Sequence, residues 1–561
     1  MKIPVCMVDA MHERIPGNGR WGWFQNTIDK TGRLFSSWPL VTLLLGVAAS
    51  TIIKLIRLNA RELWLDESRS AFFATLPFHD LVRYCIGDTA PPLYHVLLWL
   101  WVRLNLIKSA PVDLRMFSVV LSVLGVLGMF ILARTWLSTR TAGVLAALLF
   151  AFSPIMYYYS LEVRQYALLV CCVIAVMVVH HRVAAEVKGT FGSLLLYGFL
   201  GALLFYSHYI GFFIFLGLLM DWLIATRLQR KRLAAFCLVV VVFFLAAFPW
   251  LPTMLHQRNL MQGIKDAQNV AAFDPTSLSF GSPISQLTVL GGGERIARSA
   301  AVVAGLFPAK NPVFTAIMVV PLIAVLAGIA YLIVRGDRIC RMVAWIFLFT
   351  GFGLALLQMN ETRYLVPMIP PLILAMTRVV QSWSEDRRWR TAGLMAGSLL
   401  LFIYIAGFIR QSSVRYPNPW RNLVATLQPA YRDGDIVVFD ALYGQVPFDF
   451  AAQQVGFKAR EDGFPETIYH WWERQPVKVW GGPVLRESDL DVTTKRVVAA
   501  SATKTVWLVL FEVNYYDPHD QLLARFSELG DATEVFQEVP QAPAALPTGE
   551  GLRLFRISLR K

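Results

Sequence analysis

The chain has 561 residues, of which 56% are hydrophobic and only 16% are charged. Its mean hydropathy of +0.51 excludes an ordinary soluble globular protein and indicates a polytopic membrane protein. The 52 basic residues outnumber the 38 acidic ones. In a membrane protein this surplus is explained by basic cytoplasmic loops and anionic lipid head groups, and no nucleic-acid-binding motif accompanies it.

A membrane-spanning helix needs about 20 predominantly apolar residues, and eleven stretches are predicted to be spans. In chain order they are 38–57, 113–133, 142–159, 162–181, 191–208, 209–226, 233–251, 312–334, 342–358, 364–383 and 391–408. Residues 1–37 form a polar N-terminal segment, and residues 38–410 form the predicted transmembrane domain. The segment 93–106 is short and contains Trp99, Trp101 and Arg103, so it is predicted to lie in the outer membrane interface.

Short basic loops set the predicted orientation, because such loops stay in the cytoplasm. Three loops are strongly basic: RLQRKR after residue 226, the loop around Arg335 and Arg338, and the loop around Arg387 and Arg388. Eleven spans with the N-terminus inside place all three in the cytoplasm. The outer face then receives the loops 58–112 and 252–311, the corner near Glu162, and residues 411–561.

Residues 411–561 change in character and predict a small α/β domain. The sequence DGD at 433–435 indicates a turn before the strand IVVFD, and VKVW and VWLVLF are further predicted strands. HDQLLARFSEL predicts an amphipathic helix, with Leu522, Leu523 and Phe526 on one face. No catalytic motif is recognised in this region.

The stretch 63–92, LWLDESRSAFFATLPFHDLVRYCIGDTAPP, follows the first predicted span. It places the adjacent carboxylates of Asp66 and Glu67 between Trp64 and Arg69. A carboxylate at the mouth of a span could take a proton from an attacking hydroxyl or amine. Adjacent residues cannot both face one point, so at most one is catalytic and the other positions it or a metal. The alternative is a pair of solvated loop carboxylates near a cationic head-group layer, or a pair at a helix N-terminus.

Basic side chains are predicted on or next to the same outer face: Arg83, Arg115, Arg164, Arg258 and Arg363. Any one of them could be an interfacial anchor that reaches lipid phosphates. Several together indicate a bound phosphate or diphosphate, because guanidinium groups bind such anions bidentately. Glu162 and Arg164 could equally form a structural ion pair, and His208 could be an interfacial histidine.

Several motifs occur in a characteristic order: WLDES, APPLYH, DLRMFSVVLSVLG, SPIMYYYSLEVRQYAL, SHY, PWLP and ETRYLVPMIPPLIL. This ordered set resembles the GT-C glycosyltransferases of the protein-mannosyltransferase-like superfamily. It is most similar to the bacterial polyprenyl-phosphate-sugar transferases, such as aminoarabinose and galacturonic acid transferases. The resemblance covers roughly residues 35–410. It implies a GT-C membrane fold with an active site on the outer, periplasmic face of the bacterial inner membrane.

The resemblance also implies roles for particular residues. Asp66 matches the general base and Glu67 the second acid of the same pair. The residues matching the donor-phosphate side are Arg115, Arg363, Tyr364 and, more loosely, Arg258. The first outer loop lacks the lysine that some relatives use, and Arg83 is the candidate for that part. Some relatives bind a divalent metal ion near the acids, so metal use is left open, with Asp66 and Glu67 as its candidate ligands.

The expected function is transfer of one sugar from a polyprenyl-phosphate donor to lipid A or lipopolysaccharide, another glycan or a protein. One alternative is a transporter or flippase of lipid-linked sugars, which would be expected to show internal repeats and polar residues at the bilayer midplane. Another is an O-antigen ligase or polymerase, whose essential residues would lie in a late outer loop.

Overall fold

The computed structural model describes residues 39–104, 106, 110–185, 190–226, 229–259, 312–357, 362–414, 418–470, 487–511, 517, 520–538 and 551–560. The predicted N-terminal segment 1–37, most of the loop 252–311 and the predicted strand VKVW lie outside these residues. Up to residue 412 the helices are α1 (Pro39–Ile56), α2 (Leu65–Thr75), α3 (Phe78–Gly87), α4 (Leu93–Arg103), α5 (Ala110–Leu137), α6 (Arg140–Ala151), α7 (Pro154–Ser160), α8 (Tyr166–His180), α9 (Phe191–Ser207), α10 (Ile210–Thr226), α11 (Arg230–Ala247), α12 (Pro312–Val334), α13 (Arg338–Leu356), α14 (Ile369–Glu385) and α15 (Arg390–Ser412).

The described helices fit a multi-pass membrane protein. Among them, seven are long and apolar enough to cross a membrane, or eight if the bent pair α6 and α7 is one span. Three further helices contain shorter apolar stretches among the fully described residues: Phe191–Ser207, Ile210–Ala225 and, within α12, Ile323–Val334. Each of the eleven predicted segments therefore coincides with an apolar helix or helix pair. The count of eleven spans and their orientation stay predictions.

Local sequence explains the helix breaks at the end of the bundle that carries Asp66. Proline has no backbone N–H and cannot continue a helix interior, so Pro77 separates α2 from α3, and Pro91 and Pro92 precede α4. Pro154 begins α7 behind the capping hydroxyl of Ser153, where the axis bends by 59°. These breaks leave α2, α3 and α4 as short helices between the spans α1 and α5.

Beyond residue 412 lie α16 (Pro419–Leu427), β1 (Ile436–Asp440), α17 (Gln445–Gln454), β2 (Glu461–Gly463), α18 (Glu487–Ala500), β3 (Thr505–Phe511), α19 (Gln521–Leu529), β4 (Gly530–Glu538) and β5 (Leu552–Leu559). The described strands form one sheet in the order β2-β1-β3-β5-β4. β1 is parallel to β2 and β3, whereas β5 is antiparallel to β3 and β4. The turn before β1 uses Gly434 at φ +97°, a conformation that glycine adopts without steric cost.

The sheet region packs directly on the segment between α1 and α5. The carboxylate of Glu62 accepts the backbone N–H groups of Trp420 (2.9 Å) and Arg421 (3.0 Å) in the first turn of α16. A carboxylate at a helix N-terminus is favourable because unpaired N–H groups and the helix dipole both attract it. The ring of Tyr469 also lies 5.6 Å from that of Phe72 on α2. The C-terminal region thus contacts the helix that carries Asp66 and Glu67.

Candidate active site

Asp66 and Glu67 lie in the first turn of α2 and point to different partners. Their position is locally favourable, because carboxylates in the first turn complement the helix dipole. Glu67 is the third helical residue and accepts the backbone N–H of Trp64 (3.4 Å). Both side chains are buried, with Asp66 5% and Glu67 0% exposed. Of the two alternatives without a catalytic role, a solvated loop pair does not fit this burial, whereas a helix N-terminal pair does.

The Asp66 carboxylate is surrounded by three guanidinium groups. Its Oδ1 lies 3.4 Å from Arg69 Nη2, and its Oδ2 lies 3.6 Å from Arg164 Nη2. Oδ2 also accepts a 3.1 Å hydrogen bond from Arg363 Nη1. We call Asp66, Arg69, Asp88, Arg164 and Arg363 the Asp66 cluster. Its members come from α2, the end of α3, the corner before α8 and the 3-10 segment Thr362–Met368.

The charge of Asp66 is determined by this environment. Burial alone would raise the pKa of the Asp66 carboxyl group. The guanidinium groups of Arg164, Arg69 and Arg363 outweigh burial and hold that pKa below its usual range. Asp66 is therefore an ionised proton acceptor at neutral pH, and its basicity depends on how tightly the three guanidinium groups hold it.

Arg164 retains unused hydrogen-bonding capacity inside the protein. It is 5% exposed, and among the described residues its Nε and Nη1 have no hydrogen-bond partner. Buried donors without partners are costly, which makes such a site suited to an anion. Arg363 lies on the more open side of the cluster, with 16% of its side chain exposed. These two arginines are the ones best placed to receive a negatively charged ligand beside Asp66.

Glu67 is held in a closed arrangement with Arg115. Glu67 Oε2 accepts from Arg115 Nη2 at 3.0 Å, and Oε1 accepts the backbone N–H of Val163 at 2.9 Å. Arg61 lies 3.6 Å from Oε1. Burial would raise the pKa of Glu67, but the charges of Arg115 and Arg61 keep it below its usual range. Glu67 is an internal hydrogen-bond acceptor that fixes the segment between α1 and α2.

Arg115 is fully buried, and its nitrogens donate to protein groups. Besides Glu67, it donates to the carbonyl oxygens of Leu58 (2.9 Å), Arg61 (2.6 Å) and Glu62 (2.8 Å). Contact with a donor phosphate, which the resemblance implied for Arg115, would require these bonds to break. In this structure Arg115 holds Glu67 and the backbone of residues 58–62 in place.

The described contacts of Glu162 and Arg164 are with other residues and not with each other. Trp64 Nε1 donates to Glu162 Oε1 at 3.0 Å, while Arg164 turns to Asp66. Burial raises the pKa of Glu162 to about 7, so this carboxyl group titrates near neutrality.

His208 and Tyr364 lie beside the Asp66 cluster. The two rings have centroids 5.6 Å apart, and the guanidinium carbon of Arg363 lies 5.5 Å from the Tyr364 ring centroid. His208 Nδ1 accepts the backbone N–H of Ile210 at 3.2 Å. His208 is 5% exposed, so it is a buried histidine whose Nδ1 is satisfied by this backbone N–H.

Arg83 and Arg258 are exposed and remain outside the cluster. The Arg83 side chain is 52% exposed and lies 3.9 Å from Asp80 on the same helix. Arg258 is exposed near the end of the helix that runs from Arg230 to Asn259. Its neighbour Gln257 donates to the carbonyl oxygens of Cys85 and Ile86. The structure therefore brings Arg164 and Arg363 to Asp66, but not these two arginines.

Sequence reasoning assigned no role to four residues that complete the site: Arg61, Arg69, Asp88 and His95. The i,i+3 spacing of Asp66 and Arg69 in α2 is a signal that could have found one of them. Asp88 and His95 lie on either side of the Pro91–Pro92 break, where spacing predicts no contact.

The surroundings of the Asp66 and Glu67 carboxylates do not suit a bound metal ion. The Asp66 oxygens already face three guanidinium groups, whose charge would repel a divalent cation, and Glu67 is saturated by internal donors. No three His, Cys, Asp or Glu side chains in the described part of the chain converge in a way that could hold a metal ion.

Part of the sequence matches a known protein family, and the fold is similar to that of solved membrane proteins. Residues 89–253 match the family described as dolichyl-phosphate-mannose-protein mannosyltransferase. The fold is similar to that of ArnT from Cupriavidus metallidurans in the apo state, with a TM-score of 0.55 and 13% identity, covering 91% of this chain and 97% of that one. ArnT bound to undecaprenyl phosphate gives a TM-score of 0.51 at the same identity and coverages. The Archaeoglobus fulgidus oligosaccharyltransferase gives a TM-score of 0.51 at 13% identity, covering 90% of this chain and 72% of that one.

A comparison with curated proteins finds no match. The described helices and these structural similarities define a polytopic membrane protein with the GT-C fold. The family match over residues 89–253 agrees with the resemblance that the motifs predicted.

Proposed function

We propose that this protein is a membrane glycosyltransferase that moves a single sugar from a polyprenyl-phosphate donor to an acceptor hydroxyl or amine. The acceptor is a lipid such as lipid A, another glycan or a protein, and the reaction takes place at the periplasmic face of a bacterial inner membrane. The observation that carries the proposal is the Asp66 cluster. It combines an ionised carboxylate with buried guanidinium groups, and Arg164 has donors without described partners.

These two features match the two needs of the reaction. The acceptor must lose a proton as it attacks, and Asp66 is the base that accepts it. The leaving group is a phosphate that gains negative charge as its bond to the sugar breaks. Fixed cationic donors stabilise such developing charge strongly in a site that excludes water, and Arg164 and Arg363 are the donors proposed for this role.

The proposed step is a direct displacement. The acceptor oxygen or nitrogen forms a bond to the anomeric carbon, and its proton passes to Asp66. The bond between the anomeric carbon and the phosphate oxygen breaks, and its electron pair leaves on the polyprenyl phosphate. The displacement inverts the anomeric centre, and no enzyme-bound sugar is formed.

Donor binding also adjusts the base. In the described structure Arg363 donates to Asp66 Oδ2 at 3.1 Å. A phosphate bound at Arg363 and Arg164 competes for the same guanidinium groups. Asp66 then loses part of the positive charge that depresses its pKa and becomes a stronger base when donor is present.

The first test is mass spectrometry of envelope glycolipids and glycoproteins from cells that express wild-type protein or Asp66→Asn at equal levels. Asp80→Asn, which alters a partly exposed carboxylate on α3, is the matched control. We expect one sugar to be missing from one class of molecule only in the Asp66→Asn cells, because general bases contribute about 10²- to 10⁴-fold to rate. Normal glycosylation with Asp66→Asn would refute the base assignment. Accumulation of a lipid-linked sugar on the inner leaflet would instead favour a transporter.

A further inference from the structure

A buried polar network lies at the opposite end of the helix bundle from the candidate active site. His180 on α8 contacts the hydroxyl group of Tyr197 through Nδ1 (2.8 Å) and Asp221 Oδ2 through Nε2 (3.1 Å). The His180 ring also stacks on that of Trp136 at 6.0 Å. Helix α5 carries Arg115 near its start and Trp136 near its end, and a rise of about 1.5 Å per residue separates the two by about 30 Å. Ionisable groups inside membrane helices mark functional sites by default, so this second location needs its own explanation.

The network supports a guanidinium group that has unused donors. Arg338 is the first residue of α13, and its guanidinium carbon lies 5.8 Å from the Trp136 ring centroid. Its Nε and Nη2 are buried and have no hydrogen-bond partner among the described residues. Asp221 is close enough to act on the charge of Arg338, but its 3.1 Å contact is with His180. Buried donors without partners are costly, which makes this guanidinium group suited to an anion.

Two further arginines bring positive charge to the same place. Arg232 near the start of α11 and Arg341 in the first turn of α13 both lie close enough to act on the charge of Arg338. The carboxylate beside it in the chain, Asp337, is held elsewhere, because Arg378 Nε donates to Asp337 Oδ2 at 2.8 Å. Arg338 therefore lies in basic surroundings and is not paired by its sequence neighbour.

The site lies at the end of a helix that can cross a membrane. Arg338 begins α13, one of the helices that are long and apolar enough for a span. Helix α10 packs closely along α13, because a Cβ atom at Gly217 would lie 2.8 Å from the Cα of Ile346. Ile224, near the end of α10, is exposed. A basic side chain at the end of a span reaches lipid phosphates, while apolar side chains beside it contact acyl chains.

We propose that Arg338, together with Arg232 and Arg341, binds the phosphate group of an anionic phospholipid at the end of the bundle opposite the active site. The planar guanidinium group binds phosphate oxygens bidentately, and Trp136 holds it in place through a cation–π contact. A zwitterionic phospholipid would bring its ammonium group among the same arginines and bind more weakly. In the predicted orientation this site faces the cytoplasm. The inference does not depend on the proposed function.

The test measures lipid binding to the full-length protein purified in detergent, by native mass spectrometry with phosphatidylglycerol or phosphatidylethanolamine at equal concentration. We expect the wild type to bind phosphatidylglycerol more tightly. Arg338→Gln should weaken phosphatidylglycerol binding roughly tenfold, because a hydrogen bond to a charged group is lost. Arg388→Gln is the matched control, since it removes an exposed arginine from the basic loop between α14 and α15, and it should leave binding unchanged.

Two further measurements separate a built site from general surface charge. Arg338→Lys keeps the charge but loses the planar fork, so its affinity should lie between those of the wild type and Arg338→Gln. Inorganic phosphate in excess should not displace phosphatidylglycerol. Displacement would mean that the site recognises soluble phosphate, and it would overturn the assignment to a lipid.

Equal weakening by Arg338→Gln and Arg388→Gln would overturn the proposal, because binding would then depend on overall basic charge. Equal affinity of the wild type for the two lipids would do so as well. If Arg338→Gln does not fold, the exposed Arg341 offers a second variant. Arg341→Gln should then weaken phosphatidylglycerol binding severalfold relative to Arg388→Gln, and an unchanged affinity would count against the site.

Discussion

Arg363 Nη1 donates a 3.1 Å hydrogen bond to Asp66 Oδ2, which joins two residues 297 positions apart in the chain. The contact brings the 3-10 segment before α14 onto the first turn of α2. It connects the late part of the membrane domain to the stretch 63–92 that the sequence singled out. An anion that binds at Arg363 therefore also acts on the charge environment of Asp66.

Arg164 and Arg363 are expected to contribute directly to donor binding. A hydrogen bond to a charged group contributes about 1.5–3 kcal/mol, so Arg164→Ala and Arg363→Ala should each weaken undecaprenyl phosphate binding by roughly 10- to 100-fold. The dissociation constant is measured on purified protein in detergent. Arg83→Ala is the control, because Arg83 is exposed and its described ion pair is with Asp80 on the same helix. If Arg83→Ala weakened undecaprenyl phosphate binding equally, the affinity would depend on overall surface charge and not on the Asp66 cluster.

Glu67 and Arg115 are expected to act as one structural unit. Removing one partner of a buried ion pair typically costs about 3–5 kcal/mol, so Glu67→Gln and Arg115→Met should each lower the unfolding temperature in detergent. The double variant should lose less than the sum of the two losses, because neither charge is then left alone. If Arg115 instead contacts the donor phosphate, folded Arg115→Met would bind undecaprenyl phosphate more weakly while folded Glu67→Gln would not.

Glu62 is expected to make the docking of the sheet region dependent on pH. Burial raises the pKa of Glu62 to about 7, although the N–H groups of Trp420 and Arg421 oppose this shift. A carboxyl group with a raised folded-state pKa contributes stability that is fully present below about pH 4.5 and is lost as the pH rises to about 7, on the order of 3 kcal/mol.

The measurement is the unfolding temperature of the wild type and of Glu62→Gln between pH 5 and pH 8. The wild type should lose more stability than the variant over this interval, because glutamine does not titrate. Glu162, whose pKa is also raised to about 7, contributes equally to both proteins. Parallel curves for the two proteins would contradict the assignment to Glu62.

The predicted orientation can be tested with single cysteines in a background without native cysteines. Asp433→Cys lies in an exposed turn before β1, and Arg388→Cys lies in the exposed basic loop between α14 and α15. In intact cells, a membrane-impermeant thiol reagent should label position 433 from the periplasm and should reach position 388 only after permeabilisation. The reverse pattern would mean that the span count before α15 differs from the predicted one by an odd number.

The sequence by itself determined the membrane class and the positions of the apolar helices, and it singled out Asp66 as a candidate catalytic residue. Hydropathy and loop charge are local properties, and a long apolar run has few alternatives to a helix in a membrane. The ordered motifs likewise predicted the GT-C fold. In the C-terminal region, the strand IVVFD and the helix containing Leu522 and Phe526 could be predicted because their hydrophobic patterns are local and periodic.

Only the tertiary structure decided which charges face one another. Arg115 and Arg363 look alike in the sequence, yet Arg115 is saturated by Glu67 and loop carbonyl groups whereas Arg363 reaches Asp66. Asp88 and His95 gave no local signal, because their contact depends on how α3 and α4 pack on α2. Ion pairs act over a few ångströms in space and are independent of separation along the chain. Their partners are therefore set by helix packing, which no single stretch of this sequence encodes.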